Sequence, residues 1–156
     1  MNAQPAKILS GGQTGADRAA LDWATRRGIP HGGYCPKGRK AEDGIIPDCY
    51  ALVETESTNY LERTELNAFH SDATVIFTIS AELQGGSLRT AGFAKKHGKP
   101  WLHISATHYT PNEAAKALRG FVQANRVGVL NVAGSRGSKE PKVSAFVEDV
   151  LDLAIE

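Results

Sequence analysis

Cysteine is scarce in this sequence of 156 residues, which contains only Cys35 and Cys49. The two are not arranged as C-x-x-C, so the sequence has neither a disulfide framework nor the ligand spacing of a structural zinc site. A single distant pair of cysteines is typical of proteins in a reducing compartment. The sequence therefore predicts a cytoplasmic protein.

Long apolar runs are also missing. No stretch approaches the roughly 20 apolar residues that a membrane-spanning helix needs. The N-terminal residues 1–7 are polar and lack the hydrophobic region of a signal peptide. We therefore expect no membrane partner. The hydrophobic fraction of 41% is still enough for one core, and we expect residues 1–156 to form a single Rossmann-like ligand-binding domain.

Charge of one sign is not in excess either. Eighteen Lys and Arg residues stand against 17 Asp and Glu residues, which gives a formal net charge of +1. Whole-chain electrostatics therefore give no reason to expect nucleic acid or an anionic membrane as a partner. A local cluster of basic residues could still bind a phosphate group.

Several catalytic and nucleotide-binding motifs are absent. The turn after the first predicted strand reads Gly-Gly-Gln-Thr-Gly rather than G-x-G-x-x-G, and neither a P-loop nor a nucleophile elbow occurs. The five histidines do not have the spacing of metal ligands, so we expect no metal held by protein side chains. They are His31, His70, His97, His103 and His108.

What the sequence does contain is a regular alternation of strands and helices. The predicted strands cover residues 7–10, 50–55, 73–79, 101–104 and 128–132, and the predicted helices cover residues 16–27, 59–70, 88–97, 110–125 and 142–155. The strand at 73–79 is almost wholly apolar, as central parallel strands are. Thr110 and Glu113 form a capping-box pattern, and Thr58 or Asn59 could cap the helix at 59–70. This alternation predicts an α/β fold, a three-layer Rossmann-like domain with a mostly parallel sheet.

Three glycine-rich turns, at residues 11–15, 85–87 and 133–138, each follow a predicted strand and precede a helix. Such turns share one edge of a parallel sheet, where ligands bind, and amides at helix N-termini attract anions. We therefore expect the turns to hold one phosphorylated small-molecule ligand; the alternative is that all three are purely structural. The candidate ligand-binding residues on the turns are Gly11, Gly12, Gln13, Thr14, Gly15, Asp17, Gly85, Gly86, Ser87, Arg89, Thr90, Gly134, Ser135, Arg136, Ser138 and Lys139.

The segment at residues 31–48 is rich in Gly and Pro and has no sustained period. A long connection of this kind predicts a flap over the site, with Lys37 and Arg39 as further candidate ligand-binding residues. The alternative is an ordinary surface loop with a solvated basic face. Three roles stay open for Asp17: a helix cap, an ion pair with Arg18, or a contact with a ligand hydroxyl.

Four stretches are distinctive: SGGQTGADRAALDWA at 10–24, GGYCPKGRKAEDG at 32–44, GGSLRT at 85–90 and NVAGSRGSK at 131–139. Together they resemble the molybdenum (cofactor) carrier family over nearly the whole chain. The resemblance implies a circularly permuted Rossmann-like fold of the SLOG superfamily, commonly as a homo-oligomer. It also implies molybdenum cofactor as cargo, a pterin that carries a phosphate and a metal-chelating dithiolene.

The resemblance also implies an alternative function, because the SLOG superfamily includes nucleotide phosphoribohydrolases with a G-G-x-G-T-x-x-E turn. The corresponding turn here is GGSLRTAGF, and no Glu follows Thr90. Cleavage of an N-glycosidic bond needs a carboxylate near the sugar, for which Asp17 and Glu82 are candidates. The predicted function is therefore a binding or carrier protein for a phosphorylated pterin or nucleotide-like molecule. A nucleotide N-glycosidase is the second hypothesis, and a ligand-responsive sensor is the third.

Overall fold

Five parallel strands form the central sheet of the computed structural model, which describes residues 4–155. The strands along the chain are β1 (Lys7–Leu9), β2 (His31–Gly32), β3 (Tyr34–Cys35), β4 (Lys40–Ala41), β5 (Gly44–Ile45), β6 (Val53–Glu54), β7 (Ala73–Thr78), β8 (Trp101–Ser105) and β9 (Val129–Gly134). The spatial order in the sheet is β2-β1-β9-β7-β8, and every neighbouring pair is parallel. The expectation about a signal segment at residues 1–7 falls partly outside the described residues.

Helices cover both faces of this sheet. They are α1 (Ala16–Arg26), α2 (Tyr60–Phe69), α3 (Gly85–Lys96), α4 (Pro111–Ala124) and α5 (Val143–Ala154). Helices α1 and α4 both pack on α5, whereas α2 packs on α3. The predicted three-layer α/β architecture with a parallel sheet is confirmed.

The main core joins the sheet to α1, α4 and α5. All six residues of β7 are buried, as predicted for a central strand. From β7, Phe77 meets Phe146 of α5 edge to face, with ring centroids 6.0 Å apart. Trp23 of α1 is fully buried, and its Nε1 donates to Asp152 Oδ1 at 2.7 Å. Burial of each such large apolar side chain stabilises the fold by about 2–3 kcal/mol. This packing holds the sheet in place, and with it the edge where the loops begin.

The predicted helix caps are present in α2 and α4. Thr110 Oγ1 accepts from Glu113 N at 3.2 Å, and Glu113 Oε1 accepts from Thr110 N at 2.9 Å, which completes the capping box. At α2, Asn59 Oδ1 accepts from Leu61 N at 2.8 Å. Asn59 is therefore the cap, and Thr58 is not.

Helix α3 begins three residues earlier than predicted, at Gly85 instead of Leu88. The second glycine-rich turn is thus the first turn of the helix, with Gln84 as the extended N-cap residue. Thr90 Oγ1, in the second turn of α3, donates back to Gly86 O in the first turn at 2.9 Å. Glycine is tolerated there because the first amides of a helix have no intrahelical acceptor in any case.

The segment at residues 31–55 differs most from the prediction. Strand β2, expected within an irregular flap, is an edge strand of the central sheet beside β1. The strand predicted at 50–55 shrinks to β6, which pairs with β3 in a separate two-stranded sheet. Asn67 of α2 supports this small sheet, since its Oδ1 accepts from Tyr34 N at 2.8 Å and its Nδ2 donates to Tyr34 O at 3.0 Å. These partners are 33 residues apart, beyond the reach of local sequence patterns.

Candidate ligand-binding site

A cavity of about 560 Å³ opens at the carboxyl edge of the sheet, where β1, β7 and β9 end. Residues from all three glycine-rich turns line it, together with residues of α2. The predicted site residues on its wall are Gln13, Asp17, Gly86, Ser87, Arg89, Thr90, Gly134, Ser135, Arg136, Ser138 and Lys139. The three turns therefore lie at one edge, as the topology of parallel strands requires.

A buried ion pair between Asp17 and Arg63 forms part of the cavity wall. Asp17 Oδ2 accepts from Arg63 Nη1 and from Gln13 N, both at 3.2 Å. Burial raises the pKa of Asp17 while Arg63 opposes that shift, and burial lowers the pKa of Arg63. Each charge therefore depends on the other, because an unpaired buried charge is strongly unfavourable. Arg18 does not pair with Asp17; it binds Asp43 at 2.5 and 2.9 Å.

The end of the first turn packs directly against the third turn. Gly15 has a φ of +85°, and a Cβ atom there would collide with the backbone of Ser135 and Gly137. Ala16 N donates to Ser135 O at 3.1 Å, and Gly137 N donates to Thr14 Oγ1 at 3.1 Å. The glycine at position 15 therefore permits a close approach between two loops, and neither it nor Thr14 lines the cavity.

Gly11 and Gly12 do not line the cavity either. A Cβ atom on Gly11 would collide with the Arg63 guanidinium, and one on Gly12 would collide with Leu52. The amide that follows, Gln13 N, already donates to the Asp17 carboxylate. The structure thus places Gly11 against Arg63 of the cavity wall and Gly12 against Leu52, which does not line the cavity.

The N-terminus of α3 offers free donors beside the cavity. The amides of Gly85 and Gly86 donate to no acceptor within residues 4–155. Gly85 is not itself a lining residue, but Lys139 Nζ lies 3.7 Å from the point that a Cβ atom on Gly85 would occupy. Arg89 lines the cavity one helical turn further on. Free amides at a helix N-terminus with cations nearby favour a bound anion.

Three cations on the wall form no ion pair with a carboxylate of residues 4–155: Arg89, Arg136 and Lys139. Arg136 Cζ lies 4.5 Å from the ring centroid of Tyr60. Lys40 Nζ and Arg63 Cζ lie 5.0 and 5.7 Å from the same centroid. The cation–π contacts with Tyr60 offset part of the repulsion among Lys40, Arg63 and Arg136, and an anionic ligand would offset more of it.

Glu140 holds the third turn to the end of β7. Its carboxylate accepts from Ser135 Oγ, from Ile79 N at 2.9 Å and from Ser80 N at 2.8 Å. Burial acts to raise the pKa of Glu140, but these hydrogen bonds lower it below its ordinary value. The Ser135 hydroxyl, predicted to meet the ligand, therefore already has an acceptor within the protein.

Glu42 engages two more of the predicted hydroxyl groups. Its carboxylate accepts from Thr14 Oγ1 and from Ser138 Oγ, the latter at 2.6 Å. Hydrogen bonds from Ser138 and Thr14 lower the pKa of Glu42, and Arg136 contributes in the same direction. Glu42 also lines the cavity, so a negative charge stands on its wall beside Ser138.

Comparison with known proteins assigns this chain to a family. The model of the circularly permuted YpsA SLOG family matches residues 8–155. The chain belongs to the circularly permuted YpsA SLOG family. A Syntrophus aciditrophicus protein of known crystal structure, which is named as a molybdenum carrier, is 42% identical in sequence to this chain. That alignment covers 97% of this chain and 96% of the other, with a TM-score of 0.95. No protein with a curated description matches the sequence.

The family assignment confirms the resemblance to circularly permuted SLOG proteins and to molybdenum carriers. The matched residues 8–155 include every residue that lines the cavity. The site described above therefore lies wholly within the part of the chain that the family shares.

Some cavity residues of this SLOG-family chain were missed by the sequence analysis, above all Tyr60 and Arg63. Both lie on α2, which follows no glycine-rich turn, so no local motif marks them. The available signal was a polar face at helical spacing, because Tyr60, Arg63, Thr64 and Asn67 stand at positions i, i+3, i+4 and i+7. Glu140 was also missed, although it directly follows the third turn.

Lys37 and Arg39 do not reach the cavity of this SLOG-family chain, contrary to the expectation of a basic flap over the site. Arg39 has a φ of +55°, and its guanidinium donates to three carbonyl oxygens between Ile46 and Tyr50 at 2.7 to 3.0 Å. Lys37 is exposed. The segment reaches the cavity through Glu42 instead, with charge of the opposite sign.

Within residues 4–155, no group of three His, Cys, Asp or Glu side chains is arranged to hold a metal ion. Cys35 is buried, Cys49 is exposed, and both are free thiols. None of the described helices combines the length and the apolar character needed to cross a membrane.

Proposed function

We propose that this SLOG-family protein binds and carries a phosphorylated pterin of the molybdenum cofactor type, or a nucleotide-like small molecule. The observation behind the proposal is the group of unpaired cations beside the free amides of α3, in a cavity of about 560 Å³. Sites for small molecules usually measure about 300–1,000 Å³. In this proposal the phosphate binds the α3 amides and Arg89, and the flat ring lies toward Tyr60 and Arg136, which offer stacking surfaces.

The name of the Syntrophus aciditrophicus relative, a molybdenum carrier, supports a molybdenum-containing cargo. The described residues offer no cluster of metal-ligating side chains. The metal of such a cargo would therefore stay on the dithiolene sulfurs of the pterin, while the protein holds the phosphate and the ring. Gln13, Ser87 and Thr90 supply polar groups on the wall that suit a pterin edge.

Guanosine monophosphate is a suitable probe, because it combines a pyrimidinone ring and a phosphate as a phosphorylated pterin does. We expect it to raise the melting temperature of the wild-type protein. We expect Arg89→Ala to weaken its binding by about 1–3 kcal/mol, the scale for one charge-assisted contact. Isothermal titration measures the two affinities.

Lys95→Ala is the matched control, because it removes the same charge from the opposite end of α3. Its affinity for guanosine monophosphate should equal that of the wild type. An unchanged affinity in Arg89→Ala contradicts the proposed phosphate position. The carrier function itself fails if native mass spectrometry of purified protein reveals neither a pterin nor a nucleotide and guanosine monophosphate causes no thermal shift.

Hydrolysis of a nucleotide N-glycosidic bond is a second candidate, because both candidate carboxylates of the sequence are among the four carboxylates that line the cavity. Asp17 and Glu82 are both on the wall, and an oxocarbenium-like state needs a carboxylate near the sugar. Glu82 is exposed, whereas Asp17 is held by Arg63. Release of free base from nucleoside monophosphates by the wild type, and its loss in Glu82→Gln, supports hydrolysis. A wild type that releases no base argues against it.

The homo-oligomer, the cytoplasmic location and the single ligand-binding domain over 1–156 stay predictions. Light scattering with and without guanosine monophosphate measures the first. The same measurement separates a carrier from a sensor, since only a sensor needs its assembly to change with the ligand.

A further inference from the structure

The hairpin formed by β4 and β5 places a carboxylate among converging hydrogen-bond donors. Glu42, at the tip of the hairpin, accepts from Thr14 Oγ1, from Ser138 Oγ at 2.6 Å and from Ser138 N at 3.4 Å. Gly137 N donates to Thr14 Oγ1 at 3.1 Å, which leaves the Thr14 hydroxyl proton for Glu42. Three donors from the first and third turns thus surround one anionic group.

The same donors suit a phosphate oxygen as well as a carboxylate. Hydroxyl and amide donors beside a cation are the usual elements of an anion site, and Arg136 lies close enough to act on Glu42 electrostatically. The neighbouring residue in the chain, Lys139, extends toward Gly85 at the start of α3. Residues 138 and 139 therefore connect this group of donors to the free amides of α3.

The tip of the hairpin is attached by polar side chains rather than by packing. Its second attachment is the ion pair of Asp43 with Arg18. On the outer surface Ile45 is 76% exposed, and β4 and β5 share only two residue pairs. The base is fixed separately by Arg39, which binds carbonyl oxygens between Ile46 and Tyr50. Residues 42–45 bury little apolar surface and can move locally, whereas Ala41 and Ile46 stay buried in a small cluster with Cys35.

We propose that Thr14 and Ser138 form a second anion subsite behind the Glu42 carboxylate on the cavity wall, which this carboxylate occupies until an anionic group of the ligand displaces it. The ligand class is then a small molecule with two anionic groups, such as a diphosphate, one on α3 and one on the Thr14–Ser138 subsite. Glu42 acts as an intramolecular competitor that lowers affinity and excludes weakly charged molecules. This inference rests on the proposed function, because it assumes the phosphate position at α3.

Isothermal titration with guanosine diphosphate tests the subsite. In Glu42→Gln the competing negative charge is gone. An NH2 group also replaces one carboxylate oxygen, and this group cannot accept a hydrogen bond from Thr14 or Ser138. We expect its affinity for guanosine diphosphate to exceed that of the wild type by about fivefold or more, a typical coupling between two binding events. Asp48→Asn is the control, because it removes the same charge from a fully exposed position of the same segment. Its affinity should stay within about twofold of the wild type.

An unchanged or lower affinity of Glu42→Gln for guanosine diphosphate overturns the subsite. That result differs from failure of the proposed function, in which guanosine monophosphate does not bind the wild type. Hydrogen exchange gives a second readout: amides of residues 40–45 should exchange faster when guanosine diphosphate is bound. Slower exchange there would mean that Glu42 stays in place and the hairpin closes on the ligand, which also overturns the proposal.

Discussion

At the scale of single residues, the cavity depends on charges that come from distant parts of the sequence. Asp17 directly follows a recognisable glycine-rich turn and was predicted as a candidate, whereas its partner Arg63 lies 46 residues away. A buried carboxylate needs a compensating cation or donor, so the sequence implies that a partner exists. Its identity depends on how α2 packs against the sheet, which no local pattern specifies. The same reasoning explains why Arg39, although basic and in the expected segment, binds backbone carbonyls rather than the cavity.

Glu140 provides a stability prediction at this scale. Glu140→Gln replaces one acceptor oxygen by a donor that faces Ser135 or the amides of Ile79 and Ser80. We expect the free energy of unfolding near neutral pH to fall by about 1–2 kcal/mol. Urea denaturation measures it. Asp149→Asn, which alters an exposed carboxylate of α5, should change the free energy of unfolding by less than about 0.5 kcal/mol.

The effect of Glu140→Gln should depend on pH. The pKa of Glu140 is depressed in the folded protein from an ordinary value of 4.5. Its carboxylate therefore stabilises the fold fully above that value, and the contribution disappears as pH falls through the lower folded-state pKa. The difference between wild type and variant should shrink at acid pH. A difference that is equal near neutral pH and well below pH 4.5 contradicts this role.

At the scale of elements, the parts of the fold that local patterns encode are the parts that were predicted. The wholly buried β7 has a continuous apolar run, and the capping box at Thr110 consists of residues only three apart. The segment at 31–55 was not predicted, because its short strands pair through contacts such as that of Asn67 with Tyr34. Glycine also misled the prediction at α3, since Gly85 starts a helix rather than preceding one.

The packing of the first turn on the third provides a prediction at this scale. Gly15→Ala should lower the free energy of unfolding by about 1–3 kcal/mol, because φ is positive there and a Cβ atom would collide with the backbone of the third turn. Gly120→Ala is the matched control, since Gly120 lies on the exposed face of α4 and a Cβ atom there would have no neighbour within 4 Å. It should raise the free energy of unfolding by about 0.5–1 kcal/mol. Chemical denaturation measures both, and changes of the same sign would show that the loop contact is not the cause.

At the scale of the whole molecule, a nearly neutral chain carries an uneven charge distribution. The formal net charge is +1, yet the cavity has three cations without a carboxylate partner among the described residues. Acidic residues elsewhere form ion pairs with other cations, as Asp43 does with Arg18 and Glu65 does with Lys96. The composition gave no reason to expect long-range attraction to nucleic acid, and it could not reveal the local field, because that field depends on which charges pair.

This distribution predicts that ligand binding depends on salt although the net charge is small. Raising potassium chloride from about 20 mM to 500 mM shortens the Debye length from roughly 20 Å to about 4 Å, which screens exposed cations such as Arg89 and Lys139. We expect the affinity for guanosine monophosphate to fall by about 3- to 10-fold in an isothermal titration series. Arg89→Ala should show a smaller decrease, because one of the screened charges is already absent. Affinity that is independent of salt in the wild type would place the phosphate away from these cations, whereas equal slopes in both proteins would remove Arg89 from the site.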